Sequence, residues 1–155
     1  MSISFIQTPV GDLQLTVQDQ AITELKFTDS LTSTEFELSP FEKDVHTQLN
    51  AYLKNELKEF ALPVNPKGTE FQKKVWTLLQ QIPFGKTMSY QELALIYGDV
   101  LAIRAIAAAN GKNPIAIIIP CHRVIGKNGS LTGYAGGLER KKWLLQLESN
   151  ELSLF

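Results

Sequence analysis

Hydrophobic and polar residues alternate over most of the first 27 residues, and short turn sequences separate the alternating stretches. The alternation is loose at residues 3–6 and clearer at residues 13–17 and 22–27. Pro9–Asp12 lies between the first two stretches, and Asp19–Gln20 lies between the second and the third. A period of two is typical of half-buried strands, and these residue types favour turns. The pattern therefore predicts a small antiparallel sheet at the N-terminus.

A helical pattern follows the predicted sheet and begins at a start signal. Ser39 is a candidate N-cap, Pro40 suits the first helical position, and Glu42 completes a capping box. Five apolar residues then recur at helical spacing: Phe41, Val45, Leu49, Tyr52 and Leu53. We expect an amphipathic helix from about Pro40 to about Leu57.

The stretch 63–68 contains two prolines and a glycine, which is typical of a linker. The formal charge changes sign at the same place. Residues 1–62 carry 4 Lys and Arg against 10 Asp and Glu, whereas residues 63–155 carry 11 against 6. We predict an N-terminal support domain over residues 1–62, a linker over 63–68, and a second domain over 69–155.

The same helix-start signal occurs twice in the second half. Thr69 pairs with Gln72, and Ser89 pairs with Glu92, at the spacing of a capping box. The helix that begins at Thr69 has one apolar face, which is typical of packing into a core. That face consists of Phe71, Val75, Trp76, Leu78 and Leu79.

Two short helices are predicted in close succession after Ser89. The first covers Tyr90–Tyr97 and ends at Gly98; the second is capped by Asp99 and covers Val100–Asn110. Two short helices joined by a turn that contains glycine are a candidate helix-turn-helix. The predicted fold class is α+β: a small antiparallel sheet with a helix, then a helical, winged-helix-like domain.

The second of these two helices has unusually small side chains. Arg104 is followed by Ala105, Ile106 and three further alanines. Base reading in the major groove uses longer polar side chains. A surface of alanines suits either close approach to a narrow groove or tight packing inside the protein, and the pattern alone favours packing.

The composition excludes a disordered, collagen-like, coiled-coil or disulfide-rich protein. The chain is 44% hydrophobic and 20% charged, which is typical of a globular protein. No apolar run is long enough to span a membrane, and the N-terminus lacks a signal peptide pattern, so we expect a cytoplasmic protein. The net charge of −1 hides the basic second half, which suits either a phosphate-binding face or an ordinary mixed surface.

Cys121 is the one cysteine in the chain, so no intrachain disulfide can form. A buried apolar strand is predicted at 115–119, and Cys121 follows it. Most lone cysteines are small buried hydrophobes. Here His122 can act as a base, Arg123 favours a thiolate, and Glu148 can orient His122 as in a Cys/His/carboxylate relay. Since adjacent side chains diverge, a water between Cys121 and His122 is expected.

The region around Cys121 resembles a known family. Residues 120–124 read Pro-Cys-His-Arg-Val, Asn113-Pro114 precede them, and residues 133–138 read Gly-Tyr-Ala-Gly-Gly-Leu. These motifs are similar to those of the O6-alkylguanine-DNA alkyltransferases, also called methylated-DNA–protein-cysteine methyltransferases. The resemblance covers residues 69–148 and includes four further motifs: Phe71-Gln72, Val75-Trp76, Ile82-Pro83 and Ser89-Tyr90-Gln91.

The resemblance implies DNA repair by a single, irreversible transfer. The helix-turn-helix would enter the minor groove of double-stranded DNA and turn out an O6-alkylguanine. The alkyl group would then move to Cys121; O4-alkylthymine is a further candidate substrate. The implied catalytic residues are Cys121, His122, Glu148, Asn113 and Tyr90. The implied DNA-binding residues are Arg104, Tyr90, Ala105, Ala108 and Arg123. The implied substrate-pocket residues are Tyr134, Ala135, Gly136 and Val124.

The resemblance also assigns roles within these groups. Arg104 would fill the place of the flipped nucleotide, and Tyr90 would help to rotate it. His122 would act on Cys121 through a water, Asn113 would buttress the site, and the glycine-rich loop around Tyr134 would close over the base. No cofactor is implied. Some relatives hold zinc through Cys and His in the N-terminal half, but this half has only His46, so we expect no metal. We also expect a monomer.

Two other functions remain open at this stage. A DNA-binding regulator would use the helix-turn-helix without chemistry. A cysteine hydrolase would use Cys121, His122 and Glu148 for many turnovers on an ester or amide.

Overall fold

The computed structural model describes residues 1–29, 37–131 and 133–149. The chain divides into two compact units. The first comprises Met1–Pro66 with Pro114–Ala116, and the second comprises Lys67–Asn113 with Ile117–Phe155. Strands and helices occur in one chain with a sheet at the N-terminal end and mainly helices after it, which confirms the α+β class. Within the described residues, no helix combines the length and apolar character needed to cross a membrane.

A three-stranded antiparallel sheet forms the centre of the first unit, as expected. Its strands are β1 (Ser2–Ile6), β2 (Asp12–Gln18) and β3 (Ala21–Thr28), in the order β1-β2-β3. Alternate residues of β2 point to one face, and a bulge in the pairing at Thr16/Val17 places Ile22 and Leu25 of β3 on that same buried face. The fully buried residues there include Leu13, Leu15, Ile22 and Leu25.

Helix α1 (Pro40–Leu53) begins at the predicted capping box. The Glu42 N–H donates to the Ser39 hydroxyl, and the Ser39 N–H donates to the Glu42 carboxylate. The helix is shorter than the expected end at Leu57. Asn55 has a left-handed φ of 62°, and its N–H donates to the Tyr52 carbonyl, which closes the helix.

Two segments from later in the chain complete the first unit by pairing with β3. The Ile22 N–H donates to the Pro63 carbonyl at 3.0 Å, and the Asn65 N–H donates to the Ile22 carbonyl at 2.7 Å. Further along β3, Leu25 exchanges backbone hydrogen bonds with Pro114 and Ala116. Residues 63–65 are therefore bonded to the sheet, although the sequence predicts a linker there.

In its described residues, the second unit contains four α-helices and a very short parallel sheet. Helices α2 (Glu70–Leu79) and α3 (Tyr90–Tyr97) start at the two predicted capping boxes, and Gly98 ends α3 in the left-handed conformation at φ 105°. Trp76 lies in the core, where its Nε1 donates to the Ala109 carbonyl at 2.8 Å. The elements are α2 (Glu70–Leu79), β4 (Met88–Ser89), α3 (Tyr90–Tyr97), α4 (Ile103–Gly111), β5 (Val124–Ile125) and α5 (Leu138–Ser149).

The second helix of the helix-turn-helix differs from its prediction at the start. Val100–Ala102 is a turn of 3₁₀ helix, and the α-helix begins only at Ile103. Asp99 is the cap, as predicted, because its carboxylate accepts the Leu101 N–H at 2.9 Å. The tighter first turn is a common way to begin a helix.

Candidate active site

The segment before Cys121 is buried, but it is not the strand that the sequence predicts. Ile115 makes one isolated bridge to Leu25, and Ile117 then takes a left-handed φ of 70°. A β-branched residue rarely adopts that conformation, so the surrounding structure must impose it. A run of five apolar residues predicts that the segment is buried, but it does not predict that the backbone is extended. Cys121 therefore begins a short 3₁₀ turn, Cys121–Arg123, after an irregular segment.

Asn113 holds this irregular segment in place. Its side-chain Nδ2 donates to the Ile119 carbonyl at 2.8 Å, and the Cys121 N–H donates to the same carbonyl at 2.8 Å. A hydrogen bond from the Asn113 side chain also acts on the Cys121 thiol and lowers its pKa. Asn113 thus contacts both the backbone that leads to Cys121 and the sulfur itself.

His122 and Glu148 form the contact that the sequence predicts. The imidazole is fully buried, and its Nε2 lies 2.7 Å from Glu148 Oε2. A carboxylate can only accept a hydrogen bond, so Nε2 carries the proton and Nδ1 is the acceptor of the ring. Nδ1 is buried and has no hydrogen-bond partner among the described residues. The ring therefore presents a free basic nitrogen inside the site.

Cys121 and His122 are both neutral at neutral pH. Burial raises the pKa of the Cys121 thiol, and this effect exceeds the opposing effects of the Asn113 hydrogen bond and the Lys141 charge. Burial lowers the pKa of His122, although the hydrogen bond and charge of Glu148 act in the opposite direction. The resting site thus pairs a thiol with a neutral imidazole, and an ion pair can form when the proton moves.

Arg123 does not fill either role that the sequence suggests for it. Its Nε and Nη2 donate to the two oxygens of Glu148 at 2.8 and 3.0 Å, and its Nη1 donates to the Ile82 carbonyl at 2.6 Å. The side chain is buried, so its placement corrects the expectation of a DNA contact. The ion pair with Glu148 also replaces the expected direct influence on the thiol.

Arg123 instead holds Glu148 in place and favours its ionised form. Burial alone raises the pKa of that carboxyl, but the hydrogen bonds and charges of His122 and Arg123 outweigh burial and lower it to about 2. Gly85, at φ 80°, lies beside the Glu148 backbone, where an added Cβ would come within 3.2 Å of the carbonyl oxygen. Glu148 is therefore a fixed carboxylate that stabilises a protonated His122.

Lys141 is a site residue that the sequence reasoning missed. It is fully buried, and its Nζ donates to the Val124 carbonyl at 2.7 Å. Burial lowers its pKa to about 8, against the opposing effect of Cys121, and its charge lowers the pKa of Cys121. A signal was present in the sequence: Lys141 shares the helical spacing of the buried residues Leu144, Leu145 and Glu148.

A second missed residue is Asn110, near the end of α4. It is buried, its Nδ2 lies 3.5 Å from the Cys121 carbonyl, and its Oδ1 has no partner among the described residues. Its neighbours on the buried face of α4 are Ile106 and Ala109. An amide on an otherwise apolar face was again the available signal.

The glycine-rich loop places Tyr134 near the reaction centre. The Tyr134 hydroxyl is buried without a partner among the described residues. Burial raises its pKa well above 10, and charge on Cys121 and Glu148 raises it further. The Gly137 N–H closes a turn onto the Tyr134 carbonyl at 2.9 Å. Of the other predicted pocket residues, Val124 is fully buried, Gly136 is half-buried and Ala135 is exposed.

The predicted DNA-binding residues other than Arg123 lie on α3 and α4. Tyr90 is the first residue of α3 and follows β4, which pairs in parallel with β5 directly after Arg123. Arg104, Ala105 and Ala108 are exposed on α4. The alanines therefore form a surface, although the pattern alone favours internal packing.

Two family models match the chain. The model described as "6-O-methylguanine DNA methyltransferase, DNA binding domain" matches residues 70–150, and the model described as "6-O-methylguanine DNA methyltransferase, ribonuclease-like domain" matches residues 1–66. The chain belongs to the 6-O-methylguanine DNA methyltransferase family. This confirms the resemblance over residues 69–148, and the second model adds a match over residues 1–66, where the sequence shows only a weaker resemblance at Thr8-Pro9-Val10-Gly11.

Curated relatives of this family match nearly the whole chain. A "Methylated-DNA--protein-cysteine methyltransferase" of Methanosarcina barkeri is 43% identical over 98% of this chain and 99% of its own length. The protein of the same name from Mycolicibacterium paratuberculosis is 47% identical over 92% of this chain and 89% of its own length.

Solved structures of the family share the fold. The crystal structure of the Mycobacterium tuberculosis O6-methylguanine methyltransferase matches with a TM-score of 0.85 and 42% identity, over 99% of this chain and 95% of that chain. The structure of Mycobacterium tuberculosis OGT in complex with DNA matches with a TM-score of 0.86 and 44% identity, over 96% of this chain and 92% of that chain.

Proposed function

We propose that the protein repairs O6-alkylguanine in double-stranded DNA by moving the alkyl group to Cys121. It acts as a methylated-DNA–protein-cysteine methyltransferase and is consumed by one transfer; O4-alkylthymine is a further candidate substrate. The observation that carries the proposal is the buried turn Cys121–Arg123, in which His122 Nε2 is bound to Glu148, Nδ1 is left as an acceptor, and the adjacent residue supplies a buried thiol.

The first step is proton transfer inside the site. The Cys121 thiol gives its proton to His122 Nδ1 through a water, which yields a thiolate and an imidazolium. Glu148 stabilises the imidazolium because its pKa of about 2 keeps it a carboxylate. The ammonium of Lys141 stabilises the thiolate, since its charge lowers the pKa of Cys121.

The second step is a direct displacement at the saturated carbon on O6. The sulfur of Cys121 forms a bond to that carbon, and the carbon–oxygen bond breaks with its electron pair left on guanine. Guanine takes up the proton that the thiol released, so a thiol and an alkylguanine give a thioether and guanine. A thioether does not hydrolyse under these conditions, and Cys121 stays alkylated.

DNA binding is assigned to the helix-turn-helix of the second unit. Arg104, Ala105 and Ala108 enter the minor groove, where their short side chains allow close approach, and Arg104 takes the place of the flipped nucleotide. Tyr90 helps to rotate the nucleotide. The pocket for the flipped base is formed by Tyr134, Ala135, Gly136 and Val124. The N-terminal unit serves as a support domain.

A stoichiometry experiment tests this function. The protein is mixed with a several-fold excess of duplex DNA that contains O6-methylguanine, and restored guanine is counted at the plateau. We expect one repaired base per active chain, and none for Cys121→Ala, which should still bind DNA. Many turnovers would instead show a hydrolase, and binding without repair by the wild-type protein would show a regulator.

The proposed chemistry also bears on the compartment. Cys121 is a free thiol in the structure, and the reaction needs it to remain so. We therefore place the protein in the reducing cytoplasm.

A further inference from the structure

Exposed apolar side chains cluster at the turn between α3 and α4. Leu95 is 59% exposed, Ile96 54%, Val100 48% and Leu101 90%. We refer to these four residues as the turn patch. Single exposed apolar residues are normal on a protein surface, but four within seven positions mark a surface that contacts another molecule.

Leu101 is held in a defined place within the turn patch. Its N–H donates to the Asp99 carboxylate at 2.9 Å, and the next N–H, of Ala102, donates to the Asp99 carbonyl at 3.1 Å. These bonds fix the first turn of the helix, so the nearly bare Leu101 side chain projects from an ordered backbone and not from a loose loop.

Leu101 also adjoins the side of α4 that is assigned to DNA, because it lies in the 3₁₀ turn Val100–Ala102 that leads directly into this helix. It precedes Arg104 by three residues, which is one turn of a 3₁₀ helix, so the two residues lie on one side. Ala108 follows Arg104 by four residues and lies on the same side of α4. All three are exposed, whereas Ile106 and Ala109 on the other side are buried. The turn patch therefore adjoins the cation and the alanines that approach the minor groove.

We propose that Leu101 is an apolar wedge that enters the minor groove next to Arg104. This rests on the proposed function. The walls of the minor groove present deoxyribose carbons, and proteins that bend DNA through this groove insert apolar side chains between base steps. Arg104 supplies the charge that attracts the backbone, and Leu101 supplies apolar contact that opens the step beside the flipped nucleotide.

The test compares Leu101→Ser with two matched variants. Leu101→Met keeps an apolar side chain of similar volume, and Leu95→Ser removes an apolar side chain of the same patch from the preceding helix. For each, the second-order rate constant is measured on duplex DNA with O6-methylguanine and on the free base O6-benzylguanine. The duplex rate is also measured as a function of salt.

We expect Leu101→Ser to lower the duplex rate about tenfold, the size expected when a leucine loses most of its apolar contact, and to change the free-base rate far less. Leu101→Met should remain near the wild-type duplex rate, and Leu95→Ser, on α3 and outside the 3₁₀ turn, should lower it much less than Leu101→Ser. The salt dependence should keep its slope, because an apolar contact releases no counterions.

Three results would overturn the wedge. The first is a wild-type duplex rate for Leu101→Ser. The second is an equal loss on duplex and free base, which would place the effect in the pocket or the fold. The third is an equal loss for Leu95→Ser with a change in oligomeric state, which would show that a protein covers the turn patch. Failure of the proposed function can be told apart from failure of the wedge, because the wild-type protein would then transfer an alkyl group from neither substrate.

Discussion

The reaction centre and the exposed side of α4 are built in opposite ways. Cys121, His122 and Glu148 are buried, and each of them is held by further buried groups. Arg104 on α4 and Leu101 in the capped 3₁₀ turn before it are exposed. Burial keeps the thiol and imidazole neutral until a substrate arrives, whereas exposure leaves the helix ready to meet DNA. Chemistry and recognition can therefore be separated by comparing a free base with a duplex.

The largest effect should come from Glu148→Gln. This change removes the charge that stabilises a protonated His122 and leaves the buried guanidinium of Arg123 unpaired. We expect transfer to fall about 1,000-fold on both free base and duplex, within the usual range for loss of an acid–base group. Stopped-flow or quench-flow rates on the two substrates measure it.

Stability should fall in the same variant, by about 3–5 kcal/mol, because a buried charge loses its partner. The control is Glu139→Gln, which removes an exposed carboxylate from the same helix. Suppose that Glu148→Gln reacts slowly with duplex DNA but at the normal rate with the free base. Glu148 would then act in DNA recognition, which would contradict the separation of chemistry and recognition.

Acid should destabilise the protein through the buried groups of the reaction centre. The folded pKa of Glu148 is about 2, below the ordinary 4.5, so its contribution to stability is complete above about pH 4.5 and is lost as pH falls toward 2. The lowered pKa of His122 acts in the same direction below about pH 6.5, because the unfolded chain then takes up a proton that the folded chain does not.

Denaturant unfolding at a series of pH values measures this loss. We expect a total of on the order of 3 kcal/mol from Glu148. In Glu148→Gln the slope between about pH 4.5 and 2 should be smaller than in the wild type. Equal slopes in the two proteins would show that the carboxylate is not held by His122 and Arg123.

Arg104→Ala should separate recognition from chemistry. The side chain is exposed on α4, and it is not among the groups that hold Cys121, His122 or Glu148 in the described structure, so we expect only the duplex reaction to depend on it. We expect the duplex rate to fall about 100-fold and its salt slope to decrease by about 1, with little change on the free base. Equal losses on both substrates would remove the proposed role.

Lys141→Met should have a smaller effect, and it should act on the chemistry. The variant removes the cation that lowers the pKa of Cys121, so that pKa should rise and less thiolate should form. We expect transfer at neutral pH to fall about tenfold on both substrates, with the pH–rate profile moved to higher pH. Lys142→Met, at the next position of α5, is the matched control. An unchanged pH profile would show that Lys141 serves only to bind Val124.

Local signals explain why much of this molecule was predictable. The three capping boxes at Ser39, Thr69 and Ser89 and the glycine at Gly98 determine helix ends within a few residues, and all four lie where the sequence predicts. Cys121, His122 and Glu148 were identified from their chemistry and from family motifs. The structure brings them together in the second unit.

The failures came from tertiary structure. The apolar pattern of residues 115–119 predicts a strand, but the surrounding structure holds Ile117 in the left-handed region, which a β-branched residue disfavours. Arg123 next to a reactive cysteine suggests a surface cation, yet its partners Glu148 and Ile82 are 25 and 41 residues away in the sequence. Lys141 was missed because a buried lysine contradicts its ordinary preference.

The most direct test of the account is the mass of the protein after reaction. The chain is incubated with duplex DNA that contains O6-methylguanine, and its intact mass is measured before proteolysis and peptide mapping. We predict an increase of one methylene unit per chain, located on Cys121, and no further increase with excess substrate. Repair without a gain in mass, or a methyl group on any other residue, would contradict the account.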